Sequence, residues 1–276
     1  MIGILGSGFG AYVYAPSLFF QSNQQILVTK KTYSFIKSRS DLSFLLHRLL
    51  PFDSDKELIK SSSSLILARR PFDSLQLVNN ISNSNIDHIY FEKPFADSPD
   101  NALLLHSLLL SKYINYSVNY TLCFLDPPLI KNHTSADTLS FEWNFMAHHF
   151  TNNLYNWKRE HTSGGGALRF YGIHFISLAY SLGYYYPISS RSTLDYSYWS
   201  AIFENTQNKK IHISINSKSS STEFRTSYNN IEISKSKTLF DSQATNIAGI
   251  NVDPRVHSTC SYLNNHSTKF DSDDYI

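Results

Sequence analysis

The sequence predicts an α/β half followed by an α+β half, and three observations predict it. The short apolar run Ile2-Gly3-Ile4-Leu5 leads at once into Gly6-Ser7-Gly8-Phe9-Gly10-Ala11 and then into Tyr12-Val13-Tyr14-Ala15-Pro16-Ser17-Leu18. Further apolar runs at 25–29, 65–68 and 88–91 alternate with helix-like segments. Beyond residue 190 the pattern becomes strand after strand.

The opening stretch reads as strand, glycine turn and helix. Gly6 permits a sharp turn because it has no Cβ to clash at positive φ. Gly8 lets the backbone come close to a ligand, and the small Ala11 lets the new helix lie against the strand it has just left. The unpaired N–H groups at the start of that helix, with their partial positive charge, suit a pyrophosphate. This is the arrangement of a Rossmann dinucleotide-binding domain. A second strand at 25–29 follows about twenty residues later, where an NAD-selective site usually carries an acid. Here Lys30-Lys31 stand instead and no acid comes until Asp41. A cationic pair there would neutralise a 2′-phosphate, which favours NADP over NAD; two lysines simply opening an exposed helix is the alternative.

Residues 40–62 show no clean periodicity. The run 65–68 is a buried strand with Arg69-Arg70 at its carboxyl end, where ligands sit in open α/β sheets, although surface arginines in a βα loop are the more ordinary reading of the pair. Residues 72–83 are expected to be helical. His88-Ile89-Tyr90-Phe91 forms another strand and ends in Glu92-Lys93-Pro94. Asp97 or Ser98 caps the next helix, which has Pro99 near its first position and runs to about Ser111. Residues 114–124 read as the last strand of this half. Asp126-Pro127-Pro128 breaks the pattern, which places the domains at 1–126 and 127–276.

In the second half, 138–146 is a long alternating strand. Ser163-Gly164-Gly165-Gly166-Ala167-Leu168 opens a helix to about Leu182. Strands are expected at 196–203, 210–215, 222–227, 230–233 and 237–240, forming an open, mainly antiparallel sheet. An apolar open face on that sheet is costly to leave wet, so a homodimer or homotetramer through it is expected.

Composition narrows the function classes. A chain of 276 residues with a net charge of +2 has room for two domains and carries no basic surface suited to nucleic acid. Cys123 and Cys260 are too few for a disulfide framework, and neither has metal-ligand spacing. The longest apolar run, 102–110, is too short to span a bilayer. The apolar start lacks a basic leader and a cleavage site. A cytoplasmic protein without a membrane partner is expected. His148-His149 is read at a strand end, where neighbours point to opposite faces and do not chelate one metal. The ten glycines are concentrated at Gly3, Gly6, Gly8 and Gly10 and again at Gly164, Gly165 and Gly166, which marks both clusters as functional candidates.

Together, the Gly6–Ala11 turn, the strand ending in Glu92-Lys93-Pro94, and the helix from Gly164-Gly165-Gly166-Ala167-Leu168 to Gly172-Ile173-His174 resemble the Gfo/Idh/MocA oxidoreductases. Trp157-Lys158 and the late Asp253-Pro254-Arg255-Val256 resemble further motifs of that family, in the family's order. The resemblance implies an NAD(P)-dependent oxidoreductase acting on a sugar or nucleotide sugar. It makes Lys93 the catalytic lysine, hydrogen-bonded to the substrate oxygen, with Pro94 typically cis. It makes His174 the base for the hydroxyl proton. The cofactor set is then Gly6, Gly8, Phe9, Gly10, Ala11, Lys30, Lys31, Ala68, Arg69, Glu92 and Lys93. The substrate set adds Tyr120, Trp157, Tyr171 and His174. One departure stands out: Phe170 replaces the aspartate that family members often carry four residues before the histidine. That departure motivates a second expectation, a catalytically silent dinucleotide-binding sensor or scaffold.

Overall fold

The computed structural model describes residues 1–81, 86–124, 136–237 and 245–266. The chain divides into two compact units: Met1–Phe124 together with Gln243–Ile276, and Leu125–Ser242. The C-terminal segment belongs to the first unit, and not to the second as the order of elements in the sequence suggests.

The first unit carries six parallel strands: β1 (Ile2–Leu5), β2 (Ile26–Thr29), β3 (Leu49–Phe52), β4 (Ser64–Leu67), β5 (His88–Glu92) and β6 (Asn115–Asn119). Their order is β3-β2-β1-β4-β5-β6. This is the doubly wound arrangement, with its reversal point between β1 and β4, beside the glycine turn. Successive β1 residues face opposite layers. Ile4 joins the core with Tyr14, Leu18, Ile26, Tyr262 and Leu263, while Leu5 joins Leu27, Leu65, Leu67, Leu105 and Leu109. Helices α1 (Ala15–Gln21), α2 (Lys30–Lys37), α3 (Asp55–Lys60), α4 (Asp73–Asn79) and α5 (Pro99–Ser111) connect the strands. Ser98 caps α5 by accepting the Asn101 N–H, with Pro99 at the first position, as the sequence predicts.

Three differences from the sequence reading have local causes. The unreadable stretch contains a 3-10 run, Ser40–Arg48, and the edge strand β3, whose Pro51 obscures the strand signal. The last strand ends at Asn119 and gives way to a 3-10 turn, Thr121–Phe124. A helix, α8 (Arg255–His266), closes onto the first unit. Its side chains reach α1: Gln21 Nε2 donates to Asn264 Oδ1 at 3.0 Å, and Ser17 Oγ donates to the Val256 carbonyl at 3.3 Å.

The second unit is a mixed sheet of β7 (Thr138–Met146), β8 (Tyr186–Ser192), β9 (Tyr198–Glu204), β10 (Lys210–Asn216), β11 (Lys218–Tyr228) and β12 (Ile231–Ser236). The order is β12-β11-β7-β10-β9-β8, with β7 and β10 parallel and the other pairs antiparallel. One face buries Leu139, Phe141, Trp199, Ile211, Ile213 and Phe224. Helix α7 (Ile173–Ser181) lies on that face, where Phe175 meets Phe141 with ring centroids 5.6 Å apart. The opposite face is mixed and not uniformly apolar as expected from sequence. A groove on it is lined by polar Ser140, Glu142, Arg191, Ser200, His212 and Ser214, which the strands alternate outward, together with apolar Ile202. Of the expected strand 237–240, residues 238–240 lie outside the described residues. The hairpin partners β13 (Asn246–Ile247) and β14 (Ile250–Asn251) precede α8.

Candidate functional site

In the first unit the site is built at the end of β1. Gly6 has φ +148°, and a Cβ there would sit 2.2 Å from the Ala68 carbonyl oxygen. The strand ends of β1 and β4 meet at this point, where the Ala68 N–H donates to the Leu5 carbonyl at 2.9 Å. A side chain at 6 would force them apart. Gly8 is the opposite case, since a Cβ there would meet nothing within 4 Å. The Gly8 carbonyl accepts from the N–H groups of Ala11 (2.8 Å) and Tyr12 (3.2 Å), which closes the turn. The chain then enters a π-helical turn, Gly10–Tyr14, before settling into α1. Open space at Gly8, beside backbone donors at a helix start, is a cradle that suits a dinucleotide pyrophosphate.

Phe9, the turn's one bulky residue, is fixed from outside. Its ring meets those of Tyr12 and Tyr14 edge-on at 5.7 and 5.6 Å. The Arg255 guanidinium, from the start of α8, lies 4.9 Å from its centroid. Asp253 grips that guanidinium through two hydrogen bonds, 2.8 and 2.7 Å.

At the end of β2, Thr29 caps α2 by accepting the Thr32 N–H at 3.3 Å. Lys30 forms an exposed ion pair with Asp53, while Lys31 stays exposed. Asp53 follows β3. The acid is distant in sequence and comes beside Lys30 only because β3, whose strand signal Pro51 hides, pairs with β2. Arg69 pairs with Asp55 of α3 at 2.6 Å. Arg70 lies over the Phe72 ring at 5.8 Å.

Lys93 follows β5, and the Lys93–Pro94 bond is cis, as the family resemblance implied. Glu92 accepts a hydrogen bond from the Tyr14 hydroxyl at 3.2 Å. Burial pushes the Glu92 carboxyl above the ordinary carboxylate range, against the opposing pull of the Lys93 ammonium, the Tyr14 hydrogen bond and Arg255. Beneath it lies a polar layer that sequence reasoning missed. Asn119, fully buried on β6, donates to the Tyr14 hydroxyl at 3.1 Å and to Thr259 Oγ1 at 3.4 Å. Two residues earlier, Ser117 bonds the Tyr262 hydroxyl at 2.7 Å and His88 Nε2 at 3.0 Å. The available signal was Ser117 and Asn119 at alternate positions of a strand in a buried parallel sheet, where apolar residues are the rule. Tyr120 follows this strand and donates its N–H to the Val118 carbonyl at 3.0 Å.

In the second unit the glycine run is held by its own chain. Gly165 lies so close to residues 157–158 that a Cβ would sit 2.2 Å from the Trp157 carbonyl oxygen. Gly166 adopts φ +81° against Tyr196. The helix again starts with a π turn, Ala167–Gly172, and continues as α7. Trp157 meets Phe170 edge-on at 5.4 Å, and the Lys158 ammonium lies 5.2 Å from the Phe170 centroid. Phe170 touches Tyr171, which turns toward the sheet and meets Trp143 and Phe145 at 5.5 and 4.9 Å. Burial raises the Tyr171 phenol above its usual value. His174 is buried on α7. His148 and His149 sit on a helical turn, α6 (His148–Thr151), not at a strand end, so the opposite-face reasoning does not apply to them. His149 is pushed down to about 4 by burial and by Lys158, Arg159 and His148. Among the described residues, no three His, Cys, Asp or Glu side chains come together as metal ligands would.

A parallel sheet in the order 3-2-1-4-5-6 with a glycine turn at its reversal point is the Rossmann-like doubly wound arrangement, and the second unit is a mixed, mainly antiparallel sheet. No family model matches the chain, and no curated protein matches it in sequence. Solved structures do match. An oxidoreductase from Thermotoga maritima has a TM-score of 0.70 at 15% identity, covering 98% of this chain and 89% of that one. A myo-inositol dehydrogenase from Corynebacterium glutamicum has a TM-score of 0.69 at 10% identity, covering 98% and 90%. GenD2 from gentamicin A biosynthesis, solved in complex with NAD, has a TM-score of 0.66 at 11% identity, covering 96% and 84%. These neighbours are of the Gfo/Idh/MocA type, so the resemblance read from the motifs holds at the level of fold.

Proposed function

We propose that the protein is an NAD(P)-dependent oxidoreductase that moves a hydride between nicotinamide and a hydroxyl-bearing carbon of a sugar or nucleotide sugar. The observation that carries this reading is the Gly6–Ala11 turn at the sheet's reversal point, with open space at Gly8 and Lys93 following β5. The bound dinucleotide supplies the hydride acceptor or donor. Gly8 and the N–H groups at the start of the helix hold its phosphates. Lys93 donates a hydrogen bond to the substrate oxygen and stabilises negative charge as it develops there. When an alcohol is oxidised, the C–H hydride leaves the carbon, His174 takes the hydroxyl proton, and a carbonyl remains. In the reverse direction His174 returns that proton.

NADP remains the favoured cofactor in this reading, with Lys31 as the cation most open to a 2′-phosphate, since Lys30 is already paired with Asp53. The test is calorimetric titration with NADPH and NADH, followed by a turnover screen on polyols and nucleotide sugars. Uptake of one dinucleotide and a loss of turnover of about 100-fold or more in Lys93→Ala support the reading. No uptake of either by folded protein refutes it.

Phe170 favours a second reading, a dinucleotide-binding sensor or scaffold without turnover. Where family members often carry a carboxylate, the Lys158 ammonium rests on an aromatic ring. Binding without turnover across the same screen selects that reading. We also place the protein in the cytoplasm as a homodimer or homotetramer. Two unbridged cysteines support the compartment, and the exposed Ile188, Ile231 and Ile233 on edge strands β8 and β12 support the assembly, which sedimentation tests.

A further inference from the structure

The polar layer beneath β5 has a direction. The Tyr14 phenol is pushed well above its ordinary value by burial and so stays neutral, with a single proton to give. The Asn119 amide N–H points at its oxygen from 3.1 Å. That leaves the phenol proton for Glu92 Oε2, 3.2 Å away on the other side. Asn119 in turn faces Thr259 Oγ1 of α8 at 3.4 Å. The side chains run from the C-terminal helix, through β6 and the π turn, to the carboxylate next to Lys93.

We propose that Tyr14 and Asn119 are positioning residues of the Glu92–Lys93 pair, and that α8 is built into this site through Thr259. The proposal rests on reading Lys93 as the site's lysine, but its first test needs neither dinucleotide nor substrate. The Tyr14 hydroxyl presents a donor to Glu92, which favours the ionised carboxylate. An ionised Glu92 keeps the neighbouring ammonium of Lys93 charged and therefore able to hold an oxygen. The other groups facing Glu92 are Arg255 and Tyr262, both from α8. Arg255 acts in the same direction as Tyr14, and Asp253 shares its charge. Tyr262 is buried and neutral. The Tyr14 hydroxyl is thus aimed at the carboxylate within hydrogen-bond distance, 3.2 Å from Glu92 Oε2.

The test is carbon-13 NMR of the full chain with labelled glutamate carboxyls, the Glu92 resonance being assigned by its loss in Glu92→Gln. Tyr14→Phe keeps the ring and removes the donor. It is expected to raise the Glu92 titration midpoint by about one pH unit. Asn119→Leu, close in shape and without the donor to the Tyr14 oxygen, is expected to raise it by a smaller step, about a third of a unit. A Glu92 midpoint unchanged in a folded Tyr14→Phe protein overturns the proposal. Should Tyr14→Phe fail to fold, the Asn119→Leu midpoint decides in its place: a rise supports the proposal and no movement overturns it. If turnover is found, the acid limb of kcat/KM in the variants moves with the midpoint. A shifted midpoint without any turnover leaves the positioning role standing and removes only the dehydrogenase reading.

Discussion

The two glycine clusters look alike in sequence and each holds a tight glycine, Gly6 and Gly165, yet the first also has an open one, Gly8. Each follows an extended or turning segment and opens a helix whose first turn is π-helical, Gly10–Tyr14 in one unit and Ala167–Gly172 in the other. At Gly8 an added Cβ meets nothing within 4 Å, whereas at Gly165 it meets the Trp157 carbonyl oxygen at 2.2 Å. The first cluster is closed by the chain's own backbone at Gly6 and keeps open space at Gly8; the second is filled by backbone at Gly165. Glycine at a helix start therefore signals close approach, and only the surroundings say of what. What lies beside each cluster differs as well. The first adjoins hydrogen bonds running from Glu92 through Tyr14 and Asn119 to α8. The second adjoins rings, from Trp157 through Phe170 and Tyr171 to Trp143 and Phe145.

The largest effect expected from this contrast is at Gly165. Gly165→Ala drives a methyl into a backbone carbonyl that has no rotamer to escape by, so a loss of about 3 kcal/mol is expected. Calorimetric melting checks it, and a melting temperature equal to that of the unsubstituted protein would contradict the claim that packing alone requires this glycine. Burial in the first unit should show itself with acid. His88 is held down to about 4 by desolvation and the nearby His266, against about 6.5 when exposed. Its folded value is the lower one, so the unfolded chain takes up the proton first as pH falls. Stability is complete above about pH 6.5, declines as pH drops toward 4, and levels off below. The loss is at most about 3 kcal/mol. Urea unfolding at several pH values should show this slope, and His88→Gln should make it shallower, the remainder coming from His149 and His266, which burial also holds down to about 4.

Gly8→Ala should behave unlike Gly165→Ala. With open space around it, stability should change by less than about 0.5 kcal/mol. A methyl pointing where a pyrophosphate must approach should weaken dinucleotide binding by about tenfold or more, roughly 1.4 kcal/mol. Unaltered affinity in Gly8→Ala would mean that the phosphates sit elsewhere.

The same contrast explains what the sequence made legible. The β1–turn–helix unit and the capped α5 are local, with signals contained in a few consecutive residues, and the structure reproduces them. The edge strand β3 was hidden by Pro51, and with it the acid that meets Lys30. Helix α8 was hidden because its apolar stripe is thin: Val256, Tyr262 and Leu263 are buried among serines, threonine and asparagines. It is held by contacts with residues more than a hundred positions away, such as Asn119 and Ser117. The open face of the second sheet misled for a different reason. Alternation of polar residues along β7, β9 and β10 was present in the sequence, but only strand register shows that Ser140, Ser200, His212 and Ser214 converge on one groove. Residues at a site such as Lys93 and Glu92 stand out by motif. The side chains that orient them, Tyr14 and Asn119, become visible only when three elements are brought together.

The smallest expected effect is at Phe170, and it bears on how the second cluster's surroundings work. If the Lys158 ammonium is held by the face of this ring, 5.2 Å from the centroid, the two side chains should be energetically coupled. A double-mutant cycle with Phe170→Leu and Lys158→Met isolates that coupling, which is expected to be about 0.5 kcal/mol at a half-exposed position. Phe170→Asp replaces the ring with a carboxylate and converts the contact into an ion pair. If charge pairing, not ring packing, is what this position needs for turnover, Phe170→Asp should raise kcat/KM on a sugar substrate with little change in melting temperature. If the ring is needed to seat Trp157, which it meets at 5.4 Å, the same substitution should lower stability and leave turnover no better. The two outcomes separate a site that has exchanged its carboxylate for another means of holding Lys158 from one that has lost the function the carboxylate served.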